Sequence, residues 1–169
     1  INGSHHQGDT LLDNQSRKAD VGAIALDYQG ERLRATVDAI AQKESVDAPQ
    51  RRPFLAAGAT AVPAAPDGRR NVSQPWEWFE TTDRSLLLRL EYDLNDQTTA
   101  FANAGGGRTR VDRLFGNPTL LNVQGDTSTL PQRFQFEVDR STADAGLRTK
   151  FATGGVRHTV TLQASTYHD

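Results

Sequence analysis

The sequence predicts an all-β fold, an antiparallel up-and-down meander of about six strands, on three observations. Apolar residues recur with a period of two, tight turns alternate with long loops, and no run approaches the ~20 apolar residues of a membrane-spanning helix. A helix is disfavoured because i, i+2, i+4 spacing scatters apolar residues around a cylinder instead of stacking them on one stripe.

The first hairpin is expected near 17–30 and 31–45. Gly22, Ile24, Leu26 and Tyr28 form one face against Val21, Ala23, Ala25 and Asp27. The chain turns at Gln29-Gly30-Glu31-Arg32 and returns with Leu33, Ala35, Val37, Ala39 and Ala41 alternating with Arg34, Thr36, Asp38, Ile40 and Gln42.

The second hairpin is expected near 83–95 and 97–108. Leu86, Leu88, Leu90 and Tyr92 alternate with Leu87, Arg89, Glu91 and Asp93, and the turn falls at Leu94-Asn95-Asp96-Gln97. Its return strand is the weaker one, because Ala100, Ala102 and Ala104 are small and Gly105 to Gly107 loosen a ladder. The glycines are expected to bend the strand or let it leave at a barrel rim.

The third hairpin, near 133–153 and 157–168, sets Ala143, Ala145, Leu147, Thr149 and Phe151 against Asp144, Arg148 and Lys150. It turns at Thr153-Gly154-Gly155-Val156 and returns with Val160, Leu162 and Ala164 against Thr161, Gln163 and Ser165. Phe134, Phe136 and Val138 carry the opposite phase, so a bulge or a change of environment is expected near Arg140.

Loops 1–16, 46–82 and 109–132 are far longer than the usual ~4 to 6 residues. The last two carry Pro49, Pro53, Pro63, Pro66, Pro75, Pro118 and Pro131. Short turns at one end and long loops at the other are the arrangement of a bacterial outer-membrane barrel, whose strands cross with only ~10 alternating residues. Tyr28 and Tyr92 sit at the turn ends of apolar files, where an aromatic girdle at the periplasmic interface would lie. Arg34, Asp38, Arg89, Glu91, Asp93, Asp144, Arg148 and Lys150 mix both signs, as a wet lumen or a wall against a polar plug would. The alternative to lipid is a soluble sandwich that buries its apolar face against a second sheet.

Composition narrows the classes. The net charge is -2, with 19 basic and 21 acidic residues interspersed, so no electrostatic footprint for nucleic acid or an anionic membrane surface exists. Cysteine is absent, which removes disulfides, thiolate metal sites and cysteine nucleophiles. Methionine is absent too, and six strands fall short of the ~8 of the smallest common barrels, so the chain is expected to be a piece of a longer protein.

Several stretches together resemble the barrel of TonB-dependent siderophore receptors. They are Gly8-Asp9-Thr10 with Asp13-Asn14-Gln15-Ser16; Leu26 to Arg34; Val62-Pro63-Ala64-Ala65-Pro66-Asp67 with Asn71 and Gln74-Pro75-Trp76; Glu91 to Asp96 with Thr99-Ala100-Phe101; and Ala145-Gly146-Leu147 to Gly154 with His158-Thr159. The family often has an aromatic where Thr98 stands. The resemblance implies a barrel of about 22 strands closed by an N-terminal plug that lies outside this sequence. It also implies residence in the bacterial outer membrane and import of a ferric siderophore with energy from the TonB complex, which acts through the plug. Lipids and lipopolysaccharide would surround the wall. A passive porin-type barrel and, from another class, a secreted soluble β-sandwich binding module are the alternatives.

An Fe(III) siderophore arrives already coordinated, so such a receptor needs aromatic surfaces and hydrogen-bond donors and no metal ligands of its own. The candidate ligand-binding residues are Arg51, Arg52, Phe54, Arg69, Arg70, Trp76, Trp78 and Phe79 in the outer loop, with Trp76, Trp78 and Phe79 forming a cluster. The competing role for these groups is loop packing, interface anchoring and contact with lipopolysaccharide phosphates. His5 and His6 lack a third ligand at metal spacing, and His158 and His168 are strand-end residues. Gly105-Gly106-Gly107-Arg108 lacks the Lys-Ser/Thr of a phosphate loop, and Glu137 with Asp139 suits a polar wall. No nucleophile elbow or metalloprotease helix is present, so no enzyme and no catalytic residue is expected.

Overall fold

The computed structural model describes residues 1–57 and 61–169; residues 58–60, within the expected outer loop 46–82, lie outside the described residues. Among the described residues ten strands follow one another: β1 (Asn2–Asp9), β2 (Ser16–Gln29), β3 (Leu33–Asp47), β4 (Phe54–Leu55), β5 (Trp78–Asp93), β6 (Thr98–Phe115), β7 (Thr119–Leu120), β8 (Thr127–Ser128), β9 (Gln132–Thr153) and β10 (Val156–His168). Seven form one antiparallel sheet in the order β1-β2-β3-β5-β6-β9-β10, and β4-β7-β8 make a small second sheet in the loops. No helix occurs among the described residues.

The meander has one strand more than the alternation predicts. Residues 2–9, expected within an outer loop, pair along their whole length with the outer half of β2, from Asn2 opposite Ala23 to Asp9 opposite Ser16. The return strand of the second hairpin is also longer than expected: β6 runs on beyond Arg108 to Phe115, so residues 109–115 of the expected loop 109–132 are strand. The expected bulge near Arg140 is absent, because β6 and β9 keep one register from Thr98 opposite Thr149 to Phe115 opposite Gln132. The phase change in β9 is therefore a change of surroundings.

Directly opposed residues share a face, so the register identifies both surfaces. On one face Tyr28, Ala35, Leu90, Ala102, Ala145 and Ala164 form a row, with Leu26, Val37, Leu88, Ala104 and Ala143 in the next. These side chains have no sheet packed over them; Leu26 is 61% exposed and Leu162 74%. On the other face Arg89 stands between Thr36 and Asn103, which is opposite Asp144. Arg34 bridges Asp93 at 2.6 Å and Glu91 at 3.1 Å, and Arg148 lies 3.7 Å from Glu91. One face is thus an uncovered apolar belt and the other a cross-linked polar wall.

Further from the tight turns the faces exchange character. The belt side carries Arg84, Arg108, Asp139, Lys43 and Glu137, while the wall side gains Val46, Phe79, Phe134 and Phe136. The buried apolar residues Ala48, Val111 and Phe115 lie in this outer part, under the loops.

Candidate ligand-facing site

The outer ends of β3, β5, β6 and β9 bring Val46, Phe79, Arg113 and Phe134 into one row on the wall face. Phe115, two residues beyond Arg113, shares that face, and the loop after β3 drops Arg51 onto it. The Arg51 guanidinium carbon lies 3.2 Å from the Phe115 ring centroid, and that of Arg113 lies 4.4 Å from Phe115 and 4.9 Å from Phe134. Both Nε atoms are buried without a hydrogen-bond partner. Burial, and then the neighbouring Arg113 charge, push the Arg51 pKa down from its ordinary value. Two guanidinium groups and three phenyl rings therefore share this part of the wall face, beside the Glu77 carboxylate.

A buried carboxylate fixes this surface. Glu77 is 2% exposed; its Oε1 accepts the Gly116 N–H at 3.1 Å and its Oε2 the Gln74 N–H at 3.3 Å. Its carbonyl accepts the Ala48 N–H at 2.7 Å. Ala48, with φ +47°, turns its own carbonyl toward Asn71 Nδ2 at 2.7 Å and Gln15 Nε2 at 3.1 Å. Ser73 Oγ donates to the Pro49 carbonyl at 2.5 Å. Three outer loops are tied at one point, which holds Arg51 above Phe115.

The candidate residues separate. Arg51 joins the cationic and aromatic surface, and Phe79 is in its row opposite Arg113. Trp78 points to the opposite face, where the Arg133 guanidinium carbon lies 5.8 Å from its ring. The expected Trp76, Trp78 and Phe79 cluster is not one surface, because successive strand residues alternate sides. Trp76, Arg52, Arg69 and Arg70 are exposed, and Phe54 is exposed in β4, whose backbone pairs with Thr119. Arg113, Phe115 and Phe134 are additional members. Their signal was the continued alternation of Val111, Arg113 and Phe115 beyond the glycines.

Elsewhere, His5 Nδ1 lies 2.6 Å from Asp20 Oδ1, and His158 stacks on Phe151 at 5.0 Å. Among the described residues no group of three His, Asp or Glu side chains could hold a metal ion. Tyr28 and Tyr92 share the belt face beside the tight turns.

No protein-family profile matches the chain. The curated ferrichrome receptor FcuA of Yersinia enterocolitica is 28% identical over 162 residues, 96% of this chain and 21% of that protein. The crystal structure of BauA, the ferric preacinetobactin receptor of Acinetobacter baumannii, superposes with a TM-score of 0.94 at 32% identity, over 99% of this chain and 25% of BauA. The ferric-catecholate import receptor Fiu of E. coli K12 superposes at 0.72 with 17% identity, over 96% of this chain and 28% of Fiu, a likeness of fold alone. The chain thus spans about a fifth to a quarter of the length of FcuA and BauA. In sequence it is similar to a stretch of FcuA and of BauA, and in fold to a stretch of BauA and of Fiu.

Proposed function

We propose that this chain is part of the wall and outer loops of a bacterial outer-membrane receptor that imports a ferric siderophore with energy delivered by TonB. The belt would face lipid, with Tyr28 and Tyr92 in its inner girdle. The polar wall would face a hydrated lumen or plug, and the loops would open outward. The observation that carries the reading is the placement of the Arg51 and Arg113 guanidinium groups around Phe115 on the wall face beneath the loops. A ferric chelate presents anionic or carbonyl oxygens around a flat, partly apolar body, and this surface offers charge-assisted donors beside ring faces. Arg52, Phe54, Arg69, Arg70, Trp76 and Trp78 would take part only as loop surface around it.

Uptake tests the reading. Full-length receptor is expressed in a strain lacking its own ferric-siderophore receptors, and radiolabelled iron is supplied as hydroxamate, catecholate and citrate-type chelates. Uptake of one chelate is expected, abolished when TonB is deleted and lowered at least about tenfold by Arg113→Ala at equal receptor abundance in the outer membrane. Uptake of no chelate, or uptake indifferent to TonB, would sink the proposal.

A further inference from the structure

The outer loops share two buried polar residues. Ala48 is fully buried, and its carbonyl accepts from Gln15 of the β1–β2 loop and from Asn71 on the far limb of the β3–β5 loop. Glu77 holds the Ala48 amide with its main-chain carbonyl and the Gly116 amide, from the loop between β6 and β9, with its carboxylate. Further out the ties repeat between the same partners. The Asp13 N–H donates to the Arg69 carbonyl at 2.8 Å, and the Phe54 and Ala56 N–H groups donate to the Pro118 and Leu120 carbonyls at 2.8 and 2.9 Å. A side chain on Gly116 would meet the Leu130 carbonyl and Thr129 within 2.6 Å, so the returning limb of the last loop is pressed onto the same point.

This sharing decides how the loops can open. A buried donor or acceptor left without its partner costs more than the bond itself contributes, because no water replaces the partner. If the β6–β9 loop lifted alone, the Glu77 carboxylate would lose the Gly116 amide while still enclosed by the other loops. If the limb after β3 lifted alone, it would strand the Gln15 and Asn71 amides together with the Pro118 and Leu120 carbonyls. Joint release lets water reach every one of these groups. Ala48 adds a bias of its own: at φ +47° it holds a left-handed conformation that a residue with a side chain keeps only where its surroundings impose it. Opening relieves that strain.

We propose that the outer loops form one cooperative unit, locked at Ala48 and Glu77, that opens from the end of the sheet as a whole. Arg51 lies three residues beyond Ala48 and rests on Phe115, so the same movement lifts it from the ring. The Arg51, Arg113 and Phe115 surface is then assembled or dismantled in a single step. The unit goes beyond the transport reading and does not depend on which solute is carried.

The experiment is native-state hydrogen exchange of the full-length receptor in detergent at low urea, followed in the peptides that carry the Asp13, Ala48, Phe54, Glu77 and Gly116 amides. A single unit gives all five one opening constant and one urea dependence. Gln15→Ala removes one donor from the Ala48 carbonyl, and one net hydrogen bond corresponds to about fivefold in an equilibrium. Exchange is therefore expected to quicken about fivefold in all five peptides, the distant Phe54 and Gly116 included, and to stay as before in β5. Should Gln15→Ala fail to reach the folded state, Ser73→Ala, which frees the Pro49 carbonyl, is expected to quicken the same five by at least about fivefold. Acceleration confined to the loop that carries the substitution, acceleration at none of the five, or a different urea dependence for each loop would overturn the proposal. A receptor that takes up no chelate would sink the transport reading and leave this unit standing.

Discussion

Arg51, from the loop after β3, and Phe115, the last residue of β6, are in face contact, with the guanidinium carbon 3.2 Å from the ring centroid. Phe115 is only 7% exposed, so the pair is shielded and its attraction is weakly screened.

Arg51→Ala removes the stack and one of the two cations and leaves the Gly116 and Gln74 hydrogen bonds to the Glu77 carboxylate in place. A hydrogen bond from a charged group contributes about 2 kcal/mol, so chelate affinity of the full-length receptor, read by tryptophan quenching, is expected to fall about thirtyfold. Arg51→Lys keeps the charge but not the planar donor fork, and intermediate affinity is expected. Wild-type affinity in both variants would place Arg51 outside the ligand surface.

Glu77 carries a second expectation. Glu77→Ala leaves the buried Gly116 amide without its acceptor, at a cost of about 1–3 kcal/mol, and releases the half-buried Gln74 amide. The cost falls on the loops and not on the sheet. Hydrogen exchange at those amides and around Ala48 should accelerate by at least about tenfold while exchange in β2, β3 and β5 stays as before. Uniform acceleration through the sheet would contradict a local anchor.

How much of this was legible in the sequence follows from what imposes a pattern on it. A strand with one apolar face demands apolar residues at every second position, so the belt of Leu26, Val37, Leu88 and Leu147 could be read directly. Strand that continues beyond the belt meets no such demand. β1 consists of Asn2-Gly-Ser-His-His-Gln-Gly-Asp, has no apolar alternation, and exists because its backbone completes the ladder on β2. The outer part of β6 was lost for the related reason that Gly105 to Gly107 resemble a break, whereas close neighbours explain two of them. A side chain on Gly105 would meet Leu87, and one on Gly107 would approach the Arg84 carbonyl at 3.1 Å. The Arg51 and Phe115 contact had no local signature, since it depends on where two long loops come to rest.

The division of faces is testable by a charge. Leu88→Arg places a cation in the belt beside Val37 and Ala104, which at mid-depth costs about 2–4 kcal/mol. Thr36→Gln, on the polar wall opposite Arg89, should cost less than about 0.5 kcal/mol. Urea unfolding of the full-length barrel in lipid vesicles measures both. Equal destabilisation by the two changes would mean that the assignment of lipid and lumen faces is wrong.

Gly146 provides a last expectation, on the polar wall. It lies opposite Phe101 on β6 and Gln163 on β10, and a Cβ there would strike the Leu162 carbonyl and come within 2.6 Å of Phe101 Cζ. The missing side chain lets the Phe101 ring lie over the strand, where the Arg148 guanidinium carbon sits 5.6 Å from its centroid. The obstacle on one side is a flexible ring, but on the other it is backbone, so the strands must move apart. Gly146→Ala is therefore expected to destabilise the barrel by about 1–3 kcal/mol, the range for overpacking. If the ring were the sole obstacle, Phe101→Ala would rescue Gly146→Ala completely; the backbone contact predicts partial rescue, and a double-mutant cycle on urea midpoints distinguishes the two.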